Sequence, residues 1–312
     1  MSGRKQTGPA PELPLLSAAV RRGPSSKNHH AEKTATPKPA PLLPRLIGPY
    51  MQKPLLPENF GGPEAFDDTD ARSFDDWQTF YSAGTHLVQY LHAQGYNSLL
   101  LSVWADGGGL WAGPSIPCNP RYETGIYSSK GQDPVPKDVL EMLFRLFDRA
   151  GLVLLPQLQF STPLPALERQ LGPAASGADD PAGATQDAGA GIELIGRDGR
   201  SWREASSGPV TAGAYYNPLD PRVQQVVLQV VRQFVHRYQH HPSFQGLCLQ
   251  LGPDTYLQWP SLDWGYDDAT IRRFERQTGV RIPGGSGGGE QRYRRRFEFL
   301  TTEARQEWIR WR

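Results

Sequence analysis

The chain has 312 residues, 38% of them hydrophobic, enough to bury one sizeable core and better suited to a single barrel-sized domain than to two small ones. A formal net charge of +1 argues against a nucleic-acid binder or a polybasic membrane protein. The cysteines, Cys118 and Cys248, give no disulfide framework and no Cys-rich metal site, and no apolar run nears the roughly 18 residues of a membrane span.

Residues 1–44 hold eight prolines, seven Lys or Arg and two Glu, with no aromatic residue other than histidine, a composition that predicts a disordered arm. Leu15 to Val20 is too short and broken for a signal peptide, so no export is read and the cytoplasm is the default expectation. His29 and His30 lack a partner at ligand spacing, and no metal or cofactor is expected. Order is expected from Arg45, with a first strand at 45–50. From Ser73 the positions Phe74, Trp77, Phe80, Tyr81, Gly84, Leu87, Val88 and Leu91 keep the three-and-four spacing of an amphipathic helix, with Ser73 and Asp76 placed as a capping box and Gly95 as the stop.

The run 96–103 reads as a buried parallel strand, and Trp104, Asp106 and the glycines 107–109 as the loop at its end. Asp106 is equally readable as the residue of an Asp-Gly turn. Pro136 opens a second helix carrying Val139, Met142, Leu143, Leu146, Phe147 and Ala150, closed by Gly151. A third strand, 152–160, places Gln157 and Gln159 on one face, and such polar groups need partners or a ligand. For Gln157, bonding to neighbouring strands is the favoured expectation.

A long connection follows, with a flexible insertion at about 172–214 and, inside it, a hairpin turning at Asp198-Gly199. Asp220 and Pro221 begin the cleanest helical pattern, Val223, Val226, Val227, Val230, Val231, Phe234, Val235 and Tyr238. It delivers the chain to 244–251, where Leu247, Cys248, Leu249 and Leu251 read as a strand buried on both faces. Beyond it, Asp254 lies on a Gly-Pro turn, and Tyr256, Trp259, Trp264 and Tyr266 put aromatic planes beside carboxylates, an arrangement suited to a sugar; each ring could equally serve packing. Helices are expected from Asp268 to Gly279 and from Tyr293 to Arg312, the RYRRR run being a solvated face.

Four strands alternating with helices make an α/β protein, with a (β/α) TIM-type barrel preferred over a doubly wound sheet because no phosphate loop follows the first strand. About four βα units make half of an eight-fold barrel, so the domain over 45–312 is expected to be a partial one in a C-terminally truncated chain.

The strings YNSLLLSVWADGGGLW (96–111), YYNPLDPRVQQVVLQVVRQFVHRY (215–238), HHPSFQGLCLQL (240–251), WGYDDATIRRFERQTGVRIP (264–283) and EARQEWIRWR (303–312) resemble bacterial family 10-like glycosyl hydrolases over about residues 45–312. The resemblance implies a TIM-barrel glycosidase hydrolysing O-glycosidic bonds of a poly- or oligosaccharide with paired carboxylates. In the related superfamily an Asn-Glu pair follows the fourth strand, where this chain has Gln250-Leu-Gly-Pro-Asp254. Asp254 would then act as general acid if burial beside Trp259 raised its pKa, with Asp106 a further catalytic candidate, and the superfamily's second carboxylate is expected from a later strand, beyond residue 312. Trp104, Gln159, Tyr216, Asn217, Gln250, Trp259 and Trp264 would line the cleft, although Asn217 also suits a turn before Pro218. The competing reading is a catalytically silent carbohydrate-binding or scaffolding barrel, which the missing Asn-Glu favours. Neither reading fixes the oligomeric state.

Overall fold

The computed structural model describes residues 45–63, 66–67, 72–73, 77–105, 108–111, 113, 115–116, 138–171, 191–206, 213–283 and 291–312. The Pro-rich arm 1–44, Asp106, Pro136, the capping residue Asp76 and most of the flexible insertion, 172–190 and 207–212, lie outside them.

Strand β1 is only Tyr50–Met51, shorter than the run 45–50 suggested. Residues 45–48 are held by the Asn97 side chain as well as by backbone bonds: Ile47 N donates to Asn97 Oδ1 at 2.7 Å, Asn97 Nδ2 donates to the Arg45 carbonyl at 2.8 Å, and the Ile47 carbonyl accepts from Asn97 N and Ser98 N. Gly48 packs so closely on Ser98 that a Cβ there would lie 1.7 Å from its carbonyl oxygen, which only glycine tolerates. Helix α1, Leu56–Phe60, and an antiparallel pair, β2 (Phe66–Asp67) with β3 (Arg72–Ser73), lead to α2. That helix, Trp77–Ala93, buries Phe80, Ala83, Gly84, Leu87 and Leu91, and Gly95 at φ 70° turns the chain out of it.

Strand β4, Ser98–Ala105, is the longest in the sheet, and β5, Gly108–Gly109, folds back antiparallel on its end. Helix α3, Val139–Ala150, is capped by Asp138, whose carboxylate accepts from Glu141 N, and is stopped by left-handed Gly151. Strand β6, Val153–Leu158, follows, then α4, Pro165–Leu171, and the predicted hairpin, where Gly196 N bonds the Arg200 carbonyl around Gly199 at φ 83°. A reciprocal capping box of Ser201 and Glu204 starts the short α5, Trp202–Ala205. Helix α6, Pro221–Tyr238, starts at Asp220 as expected and buries Val223, Val226, Val230, Phe234 and Tyr238.

Strand β7 is the main departure, because pairing is confined to Cys248–Leu249 plus a bridge from Phe244 to Leu154. Leu247 and Cys248 are half-buried, and Leu249 and Leu251 are 46% and 63% exposed rather than buried on both faces. The cause is position: β7 pairs with β6 on one side and, among the described residues, with no strand on the other. Both-face burial needs neighbours that an edge strand does not have.

The sheet runs β1-β4-β6-β7, every neighbouring pair parallel, so spatial order follows chain order with helices α2, α3 and α6 in the crossovers. This mixed α/β arrangement is compatible with a (β/α) barrel-like fold. On β4, Leu99, Leu101 and Val103 are buried in the main core, while Ser98, Leu100 and Ser102 alternate onto the other face. A second core forms where α7 (Asp268–Thr278), α8 (Gln291–Thr301) and α9 (Arg305–Trp311) meet, around Tyr266, Phe274, Leu300 and Trp308. The single final helix expected from the sequence breaks at 302–304, and the break brings Trp308 edge-on to Phe274 at 5.1 Å. No described helix is long and apolar enough to cross a membrane.

Candidate functional site

The carboxyl ends of β6 and β7 open into loops that are tied together through tyrosines. Tyr256 N bonds the Phe160 carbonyl and its hydroxyl donates to the Thr162 carbonyl at 2.9 Å. Tyr216 meets Tyr256 edge-on at 4.9 Å, and its oxygen accepts from Leu164 N at 2.8 Å while the hydroxyl donates to Glu168. This buried pair forms the floor of the rim, and burial together with Glu168 pushes the Tyr216 hydroxyl far above the ordinary phenol range.

On that floor stand two carboxylates and one guanidinium. Glu168 of α4 accepts from Arg203 Nη2 at 2.5 Å, and Glu193 Oε1 lies 3.2 Å from Arg203 Nε. Arg203 is presented by the capped α5 and lies over the Tyr215 ring at 4.9 Å. Glu193 is fixed by backbone pairing to Tyr216, between buried Ile192 and Leu194. Burial raises its pKa, and the charge of Arg203 does not cancel that effect, while Glu204 and Glu168 add to it. One carboxyl is thus held toward its acid form beside another that accepts charge-assisted bonds, the kind of pairing that acid-base chemistry uses.

Nothing local in the sequence singles out Glu168 and Glu193, which lie 25 positions apart, the one before the insertion and the other within it. The available signal was Glu193 itself, a lone acid alternating with Ile192 and Leu194 in a pattern that buries its neighbours.

A second polar group sits on the sheet face. Gln157 Nε2 donates to Tyr50 Oη at 2.9 Å and to Gln250 Oε1 at 2.5 Å, joining β1, β6 and the residue after β7. This is the cross-strand bonding that Gln157 called for, and it places Gln250 in the cluster. Gln159 is half-buried just past the end of β6.

The other expected site residues fall in separate places. Asp254 lies on an exposed turn, so the burial its general-acid role requires is missing. Trp259 stacks on Trp308 at 5.4 Å and its Nε1 donates to Asn217 Oδ1 at 3.4 Å. Asn217 is buried and bonds Asp267 at 3.2 Å and Thr270 at 2.6 Å, which makes it a tie to the start of α7. Trp264 packs on Trp202 at 5.0 Å. Trp104 is wholly buried against Phe160, because a register shift between Ser102 and Trp104 on β4 turns the ring into the main core instead of the solvent. Asp106 lies outside the described residues. Away from this end, one ligand atom each from Glu141, His240 and His241 lie within 4.8 Å of one another, a set able to hold a metal ion.

No protein-family model matches the chain, and comparison with curated proteins gives no match. Among solved structures the chain is similar to a β-galactosidase from the psychrophilic Marinomonas ef1, with a TM-score of 0.40 and 12% identity over 76% of this chain. The chain spans 26% of the length of that protein.

Proposed function

We propose that this is a (β/α)-barrel protein of the glycosidase kind, acting on the O-glycosidic bonds of a poly- or oligosaccharide at the carboxyl end of its sheet. The observation that carries the reading is the pairing of Glu193 and Glu168 across Arg203, where burial raises the pKa of Glu193 while Glu168 accepts from the guanidinium. Glycoside hydrolysis needs such a division, an acid to protonate the leaving oxygen and a carboxylate to stabilise or attack the sugar carbon. Glu193 takes the first role and Glu168 the second, with Gln159, half-buried just past the end of β6, as a substrate contact.

A silent carbohydrate-binding barrel is the second reading. It is favoured by the same guanidinium, since Arg203 occupies both acids and must be displaced before either meets a sugar.

Hydrolysis of a panel of aryl glycosides, measured alongside calorimetry with soluble oligosaccharides, separates the two. The enzyme reading expects turnover that falls on the order of 100-fold or more in Glu193→Gln while Asp254→Asn stays near the parent. Turnover lost in Asp254→Asn and kept in Glu193→Gln would return the acid role to Asp254. Oligosaccharide binding without turnover supports the silent barrel, and indifference to every glycan rejects both.

A further inference from the structure

The chain returns from α6 to β7 through His240-His241-Pro242-Ser243, at the amino-terminal end of the sheet and so opposite the rim described above. His241 is buried and its orientation is fixed from several sides. Its ring stacks on Phe144 at 5.0 Å with 13° between planes, and Nδ1 lies 2.6 Å from Asp148 Oδ2. Asp148 is itself held by Ser243, which donates from its backbone N at 2.9 Å and from Oγ at 2.6 Å to Oδ1. With Nδ1 committed as donor to that carboxylate, Nε2 is the atom left to bind something else.

What it faces is Glu141 Oε2, at 3.0 Å. Glu141 is two turns before Asp148 on α3, and its other oxygen accepts from Arg145 Nε at 2.7 Å, which leaves Oε2 for the histidine side. His240, exposed, lies beside His241 with ring centroids 4.1 Å apart and supplies the third ligand atom. We propose that Glu141, His240 and His241 form a binding site for a divalent transition-metal ion of the zinc class, with Asp148 as the group that orients His241.

The donor chemistry fits. Imidazole nitrogens and a carboxylate oxygen bind zinc at about 2.0–2.2 Å, so ligand atoms around one tetrahedral ion stand roughly 3.3 Å apart. His241 Nε2 and Glu141 Oε2 are already near that separation, and the exposed His240 closes the remainder by turning about its side-chain bonds. A carboxylate on the far nitrogen of a ligating histidine fixes its tautomer and strengthens it as a donor, which is the place Asp148 holds. His240 is exposed, so water from solvent can complete the coordination. Glu141 and Asp148 balance a doubly charged ion, and Arg145 offsets part of that balance. An ion here would tie α3 to the chain entering β7. That makes it a structural clasp, on the face of a βα fold that carries stability more often than chemistry.

The test uses the full chain stripped with chelator, then titrated with zinc chloride by calorimetry and with cobalt(II) followed by visible absorption. One equivalent of zinc, cobalt bands typical of low-coordinate nitrogen and oxygen ligation, and a raised melting temperature are expected. His240→Ala removes an exposed side chain, folds as the parent and should weaken zinc at least about tenfold. His236→Ala, exposed on α6, and the pair His29→Ala/His30→Ala in the N-terminal arm should leave affinity unchanged. Absence of stoichiometric binding, full affinity in His240→Ala, or loss of binding in the His29/His30 variant overturns the proposal.

Discussion

Acids at the two ends of the sheet are shifted in opposite directions where their partners differ. At the amino-terminal end Asp138 meets Arg237 at 2.5 Å and Tyr238 at 3.0 Å, Glu141 meets Arg145 and His241, and Asp148 meets Ser243 and His241. Burial alone would raise Glu141 and Asp148, but these bonds and charges outweigh it and hold both below the ordinary carboxylate range. At the carboxyl end burial wins for Glu193 and for Asp267, and both are raised. The contrast sets Glu141 and Asp148, whose partners hold elements together, against Glu193 and Asp267, whose burial is not offset by their partners, the kind of perturbation that reactive sites use.

The largest effect should come from the anchored end. Phe144 lies at the centre of its ring stack, 5.1 Å from Tyr238, 5.0 Å from His241 and 5.9 Å from Phe244, and it is wholly buried. Phe144→Ala should cost about 3–5 kcal/mol in urea-induced unfolding, because it removes packing and leaves a cavity beside a buried polar network. A cost below about 1 kcal/mol would show that this end is not where α3, α6 and β7 are fastened.

At the opposite end Arg203→Met sharpens the contrast. It leaves Glu168 and Glu193 facing each other without their shared cation, and it should cost about 1–3 kcal/mol by the same unfolding measurement. The smaller figure follows from exposure, since each of the three side chains keeps roughly a third of its surface in solvent. A stability loss matching that of Phe144→Ala would make Arg203 a structural pillar and weaken the case for a reactive pair.

Much of this division was invisible in the sequence, for reasons tied to particular residues. Strands β4 and β6 and helices α2, α3 and α6 follow directly from continuous apolar runs or from three-and-four spacing, since each pattern is local. Asp220 with Pro221 marks the start of α6 for the same reason. Strand β7 misled because apolar content reports that a segment can be buried, whereas burial depends on having a neighbour on each side. The last helix misled because the spacing of Phe297, Leu300, Ala304, Trp308 and Trp311 is satisfied equally by one helix or by two meeting at Ala304. Trp259 and Trp264 looked like stacking platforms, yet their partners, Trp308 and Trp202, come from distant segments. Glu168, Glu193 and Arg203, and likewise Glu141, Asp148 and His241, are brought together only by tertiary structure.

The smallest effect, and the most direct reading of the electrostatics, compares two helix caps. Asp220 and Asp267 are each 5% exposed, and each accepts a backbone N–H at the start of its helix, Asp220 from Arg222 and Asp267 from Thr270. Asp220 also carries the Arg222 guanidinium at 2.7 Å, and although burial opposes it, that partner keeps its pKa below 3.8. Among the described residues the donors to Asp267 are neutral, Asn217 Nδ2, the Thr270 hydroxyl and backbone N–H groups including that of Thr270, so burial raises its pKa above 3.8. The signs are therefore opposite. The stability that Asp220 contributes is present above its unfolded pKa and is lost as pH falls through its lower folded value. For Asp267 the folded state binds the proton more tightly, so its contribution is present below the unfolded pKa and is lost as pH rises through the folded value. Melting temperatures followed from acid to neutral pH should show Asp220→Asn costing about 1–2 kcal/mol near neutrality and progressively less in acid. Asp267→Asn should cost less near neutrality than in mild acid, because the amide relieves a buried charge while its oxygen still accepts from Thr270 N. Parallel pH profiles for the two variants would mean that Arg222 does not distinguish the caps, and with that the electrostatic contrast between paired and unpaired acids would fail.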